Sequence, residues 1–104
     1  MNVGDRFLNI MTGTIIEITN KREEYVLYHR EWHEWDRRYL DQYVHYTYLT
    51  VTNINDDKKT KVLPIEQLEE YIRIANGRIV PYHGEPIKPI QYLKQHTWQL
   101  QQQY

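Results

Sequence analysis

Tyr25-Val26-Leu27-Tyr28-His29-Arg30-Glu31-Trp32-His33-Glu34-Trp35-Asp36-Arg37-Arg38-Tyr39-Leu40-Asp41-Gln42-Tyr43 is the stretch on which the fold turns. Its rings at Tyr28, Trp32, Trp35, Tyr39 and Tyr43 step by four, three, four and four, the spacing of one helix face, and Glu34 stands four residues before Arg38. The stretch holds no Gly, Pro or Asn, the residues that tight hairpins favour. The spacing therefore predicts an inserted helix or a structured long loop over about 31–42. Extended to Tyr46 and Tyr48, the segment carries eight aromatic residues. An apolar stripe ordinarily completes a core. A chain of 104 residues, however, cannot bury eight large rings together with its Ile and Val side chains. Partly exposed Trp and Tyr beside Arg have the composition of interface hot spots. Trp32, Trp35 and Tyr39 are thus expected as anchors for a partner protein, with Arg37 and Arg38 pairing its carboxylates.

The flanking sequence reads as strands. Arg6 to Ile10, Thr14 to Thr19 and Glu24 to His29 are rich in β-formers and separated by Met11-Thr12-Gly13 and Thr19-Asn20-Lys21, which predicts a three-stranded meander. Tyr43 to Thr52 is the clearest strand, followed by the turn formers Asn53-Ile54-Asn55-Asp56-Asp57 and a return strand at Val62-Leu63. Pro64 suits the start of a helix over 65–75 whose Leu68 and Ile72 face the core, and Asn76-Gly77 supplies its stop. The expected organisation is one β-rich domain over 1–80, a Pro/Gly linker over 81–89 and a helical extension over 90–104. Docking of that extension on the body is the first expectation. Self-association through Leu93, Trp98 and Leu100 is the second.

Composition removes several function classes. Cys and Ser are both absent, so disulfides, thiolate ligands and the two commonest nucleophiles are missing. The net charge of −1 is neither that of a strongly basic nucleic-acid binder nor that of an acidic DNA mimic. Without a signal-like apolar run in the first twenty residues, a soluble, cytoplasmic protein is expected.

Two clusters invite chemical readings. His29 and His33 would share a helix face and, with His45, make a weak candidate metal site. Glu31 stands two residues after His29 and so misses the zinc-protease pattern, in which Glu follows the first His directly. Lys58, Lys59 and Lys61 form the densest basic run, directly after Asp56-Asp57, and are the candidate contacts for an alternative nucleic-acid-binding function. The four glycines are isolated and no nucleophile stands beside a base, so neither a cofactor nor an enzymatic activity is expected.

Val3-Gly4-Asp5-Arg6-Phe7, Thr12-Gly13-Thr14-Ile15-Ile16 and Tyr25-Val26-Leu27-Tyr28 together resemble the opening of small SH3-like and KOW-like barrels, over about the first thirty residues. The resemblance implies a β-rich α+β fold, a barrel of about five strands with a short helix. Size and the lack of catalytic apparatus look like the accessory proteins of bacteriophages, inhibitors of host defence such as anti-CRISPR proteins among them. A non-catalytic protein-binding module is the leading expectation; a nucleic-acid-binding barrel and a virion assembly protein are the alternatives.

Overall fold

β-Branched and aromatic side chains pack best on a pleated surface, and their density here puts half of the described residues into strands. The computed structural model describes residues 1–94. Its elements are β1 (Arg6–Asn9), β2 (Ile15–His33), β3 (Arg38–Asn53), β4 (Thr60–Pro64), α1 (Ile65–Ile74) and β5 (Ile79–Pro81). The strands form one antiparallel sheet in the order β4-β3-β2-β1-β5. This sheet is open, with β4 and β5 at its edges, so the expected barrel does not close. Pro81 sits on the outermost strand, where its missing N–H leaves no ladder bond unmade.

Two expected features change. The second and third strands of the predicted meander are one continuous strand of 19 residues. Thr19-Asn20-Lys21 is a β-bulge within it instead of a turn: the register slips between Ile18 and Asn20. The Thr19 hydroxyl is bonded to the Thr50 carbonyl and to Thr52 Oγ1. The predicted helix or loop over 31–42 is likewise a hairpin, with Glu31 to His33 pairing Arg38 to Leu40 around a turn at 34–37. Steps of four satisfy a two-residue period as well as a helical one, so Tyr28 to Trp32 and Tyr39 to Tyr43 suit strands equally. The step of three falls across the turn. Arg37 supplies the left-handed conformation, φ +48°, that a Gly or Asn ordinarily takes.

The core lies at one end of the sheet. Ile18, Leu49 and Leu63 are covered by Leu68 of α1, with Phe7, Val51, Ile65 and Ile72 packed around them. Each such aliphatic side chain contributes roughly 1.5–3 kcal/mol on burial. α1 matches its sequence signals: Leu68 faces inward, Arg73 in the last turn bonds Glu70 at 2.6 Å, and left-handed Asn76 and Gly77 end it. Leu8, Ile15, Ala75 and Ile79 complete the buried set.

One side chain ties this end together. Asn55 Oδ1 accepts the Ile15 amide at 2.7 Å, and Asn55 Nδ2 donates to the carbonyls of Gly13 at 2.8 Å and Ile87 at 2.6 Å. It thereby holds the irregular stretch after β5 against the start of β2. Residues 89–94, which are helical, seat there as well: a Cβ on Gly13 would lie 2.9 Å from the Pro89 carbonyl. Leu93 belongs to this helical turn, whereas Trp98 and Leu100 lie outside the described residues. Asn55→Ala leaves one amide and two carbonyls without their partner, and an unfolding free energy lower by about 1–3 kcal/mol is expected in urea titration. An unchanged midpoint would show that water replaces all three bonds.

Candidate interaction arm

Beyond the core, β2 and β3 leave the sheet as a two-stranded ribbon. β1 covers β2 only as far as Ile18, and β4 covers β3 only from Tyr48 to Thr52. At about 3.3 Å per residue, Asn20 to His33 reaches roughly 45 Å. The molecule is accordingly 77 Å long and 25 Å by 18 Å across, with a radius of gyration of 20.6 Å. A compact domain of this length would have about 13 Å.

The register assigns each side chain to a face. One face carries the pairs Trp32/Tyr39, Arg30/Asp41, Leu27/Tyr43, Tyr25/His45 and Glu23/Thr47, and runs on at its base into the core position Leu49. The other carries His33/Arg38, Glu31/Leu40, His29/Gln42, Val26/Val44, Glu24/Tyr46 and Arg22/Tyr48. Between them Tyr28 is an extra residue, set by a second bulge where the register slips between Leu27 and His29.

Cross-strand contacts order the first face, each such pair contributing roughly 0.2–1 kcal/mol. The Trp32 and Tyr39 rings meet edge to face with centroids 5.0 Å apart. Arg30 lies over the Tyr39 ring at 5.0 Å while its Nε and Nη2 donate to the two Asp41 oxygens at 2.7 and 3.0 Å. That fork holds the Asp41 carboxyl below its ordinary value, with desolvation opposing it. The same bond raises the Arg30 guanidinium. Tyr25 stacks on His45 at 4.6 Å, and His45 Nε2 stands 3.8 Å from Glu23. On the second face Arg22 covers the Tyr48 ring at 5.2 Å.

These rings are ordered but not buried. Tyr25 and Tyr28 are each 69% exposed, and Trp35 at the tip is 99% exposed. Trp32, Tyr39 and Tyr43 are exposed too, so the aromatic segment completes no core. The structure brings Trp32, Trp35, Tyr39, Arg37 and Arg38 together at the far end of the arm, with Arg38 3.7 Å from Asp36. Tyr25, Leu27 and Tyr43, which the sequence reading did not single out as contacts, extend the same surface toward the base. Two-residue alternation from Glu23 to Leu27 on β2 and from Tyr39 to Thr47 on β3 was the signal for them.

The remaining candidates are dispersed. Lys58 and Lys59 occupy the β3–β4 turn, at the opposite end of β3 from the aromatic tip, and Lys61 follows on β4. Lys59 pairs Asp57 at 3.3 Å. Lys58 lines an open concavity of about 520 Å³ with Asp56, Asp57 and Lys88. His29 and His33 lie on a strand, which separates them by about 13 Å instead of stacking them on a helix face. His45 is on the other face of the ribbon. Among the described residues no three His, Asp or Glu side chains gather as a metal site would need, and no helix is long and apolar enough to cross a membrane. No protein-family model, curated protein or solved structure matches the chain, so the arm is interpreted from its own geometry.

Proposed function

We propose that the chain is a non-catalytic protein-binding module that works through its hairpin arm. The carrying observation is the exposure of ordered Trp and Tyr side chains on a ribbon that the core does not require. Rigid aromatics lose little side-chain entropy on contact, and ring pairs already fixed across the strands lose less still. Trp35, Trp32 and Tyr39 would enter pockets on the partner, with Arg37 and Arg38 meeting its carboxylates at the rim. Occupying a surface of a larger protein needs only such an arm on a small anchoring body. A phage-encoded inhibitor of a host defence protein, of the kind to which anti-CRISPR proteins belong, is the narrower form of this proposal.

A two-stranded ribbon also has the width to enter a nucleic-acid groove. The charge count argues for protein instead: over residues 20–47 five Lys and Arg face six Asp and Glu. Phosphate contacts need a net positive surface. The test is affinity capture with the wild type and the Trp32→Ala/Trp35→Ala variant, paired with thermal unfolding. The variant is expected to keep its unfolding temperature within a few degrees and to lose its captured protein, whose direct binding drops at least about a hundredfold. Equal capture by both proteins, or capture that disappears in nuclease or moderate salt, overturns the proposal.

A further inference from the structure

The outer edge of β2 from Arg22 to Glu31 is unpaired among the described residues, and its sequence, Arg-Glu-Glu-Tyr-Val-Leu-Tyr-His-Arg-Glu, is complementary to itself when reversed. We propose that this edge pairs antiparallel with the same edge of a second copy, about a two-fold axis at Val26, joining two arms into one four-stranded sheet.

The bulge at Tyr28 makes the register geometrically sound. A two-fold axis perpendicular to a sheet leaves every side chain on its own face, so residues paired across it must share a face. In a regular strand Glu24 and His29, five apart, would lie on opposite faces. The extra residue Tyr28 returns them to one face, as their neighbours Tyr46 and Gln42 on β3 show. With the axis at Val26, Glu24 then stands opposite His29, Glu23 opposite Arg30, and Arg22 opposite Glu31, each pair occurring twice. Tyr25 meets the Leu27-Tyr28 bulge of the other copy.

Neighbouring registers fail on charge. Moving the axis to Tyr25 sets Lys21 against Arg30 and Arg22 against His29; moving it beyond Val26 to the bulge sets Glu24 against Glu31. Like charges directly opposite destabilise a sheet, so the pattern excludes the slips while favouring one pairing. The β3 edge offers no equivalent. Between Arg38 and Thr47 it carries only Arg38, Asp41 and His45, and an axis at Tyr43 would match Asp41 with His45 alone, against the three kinds of opposite-charge pair on β2. Charged residues commonly guard an exposed edge against all pairing. Here their order guards it against slipped registers of its own copy. The axis also places the Trp32/Tyr39 faces of both copies on the same side of the joined sheet. The pairing stands independently of whether those faces bind another protein.

Sedimentation equilibrium of the full chain over a dilution series tests this. The wild type is expected to dimerise, and Arg22→Glu and Glu31→Arg are each expected to weaken self-association about tenfold or more, because both symmetric pairs turn repulsive. Mixing the two single variants restores opposite charge at both pairs, so a heterodimer is expected, and the double variant regains a homodimer. A wild type that stays monomeric up to about 1 mM overturns the proposal. So does a dimer that ignores both reversals, which would place the interface elsewhere. The chain has no Cys, so Val26→Cys gives a second readout insensitive to any loss of fold in the charge variants. It should cross-link on oxidation whereas Val44→Cys, one strand further out, should not; the reverse pattern also overturns the register.

Discussion

Leu49→Ala is expected to leave the protein largely unfolded at 37 °C. Leu49 has no exposed surface and stands where β3 crosses between β2 and β4, touching the cluster of Ile18, Leu63 and Leu68. Truncating a buried Leu costs about 2–5 kcal/mol, the upper end where the site cannot collapse around the void. Collapse is restricted here because three strands fix the backbone around it by their ladders. The buried set is small, eight apolar residues among those described, and a domain with so little core has few kcal/mol in reserve. Circular dichroism against temperature measures this directly. A fall of only a few degrees would mean that the arm and the segment after β5 carry more of the stability than their exposure suggests.

The same core explains what could be read from residues alone. α1 was legible because Pro64, the Leu68 and Ile72 stripe, and Asn76-Gly77 all point to one helix, and no other element competes for them. The β-rich composition likewise fixes the class of the fold. The arm was not legible as an arm, because aromatic steps of four fit both periods and the turn is made by Arg37, which carries no turn signature. Closure of the sheet was also out of reach. It depends on which edge β5 joins, and Ile79 to Pro81 pair with β1, next to no other strand, a choice three residues cannot announce. Of the candidate site, Trp32, Trp35, Tyr39, Arg37 and Arg38 do share one end of the molecule. The three lysines lie at the other end, Lys58 and Lys59 on the β3–β4 turn and Lys61 on β4, and their distance from the aromatic tip follows only from the length of β3.

Excision of the arm should separate folding from binding. Joining Glu23 to Thr47, which face each other across the ribbon, through a two-residue Asn-Gly turn would remove residues 24–46 and preserve the ladder below them. Among the described residues every buried apolar side chain lies outside that span, at Leu8 to Ile18 and at Leu49 to Ile79. The ribbon's main contacts, Trp32/Tyr39, Arg30/Asp41 and Tyr25/His45, lie within it, and the retained residues lose only surface partners: Glu23 loses His45, Arg22 loses Glu24 and Tyr48 loses Tyr46. The shortened protein is therefore expected to unfold within a few degrees of the full chain. By small-angle scattering its radius of gyration should fall from 20.6 Å toward the compact value of about 13 Å. Binding to a partner and association with a second copy should both disappear, because every residue assigned to the first lies in the excised span, as do eight of the ten residues of the self-complementary edge. A body that fails to fold without the arm would show that the ribbon nucleates the sheet. A shortened protein that still captures the same partner would move the binding surface to the body and end the case for the arm.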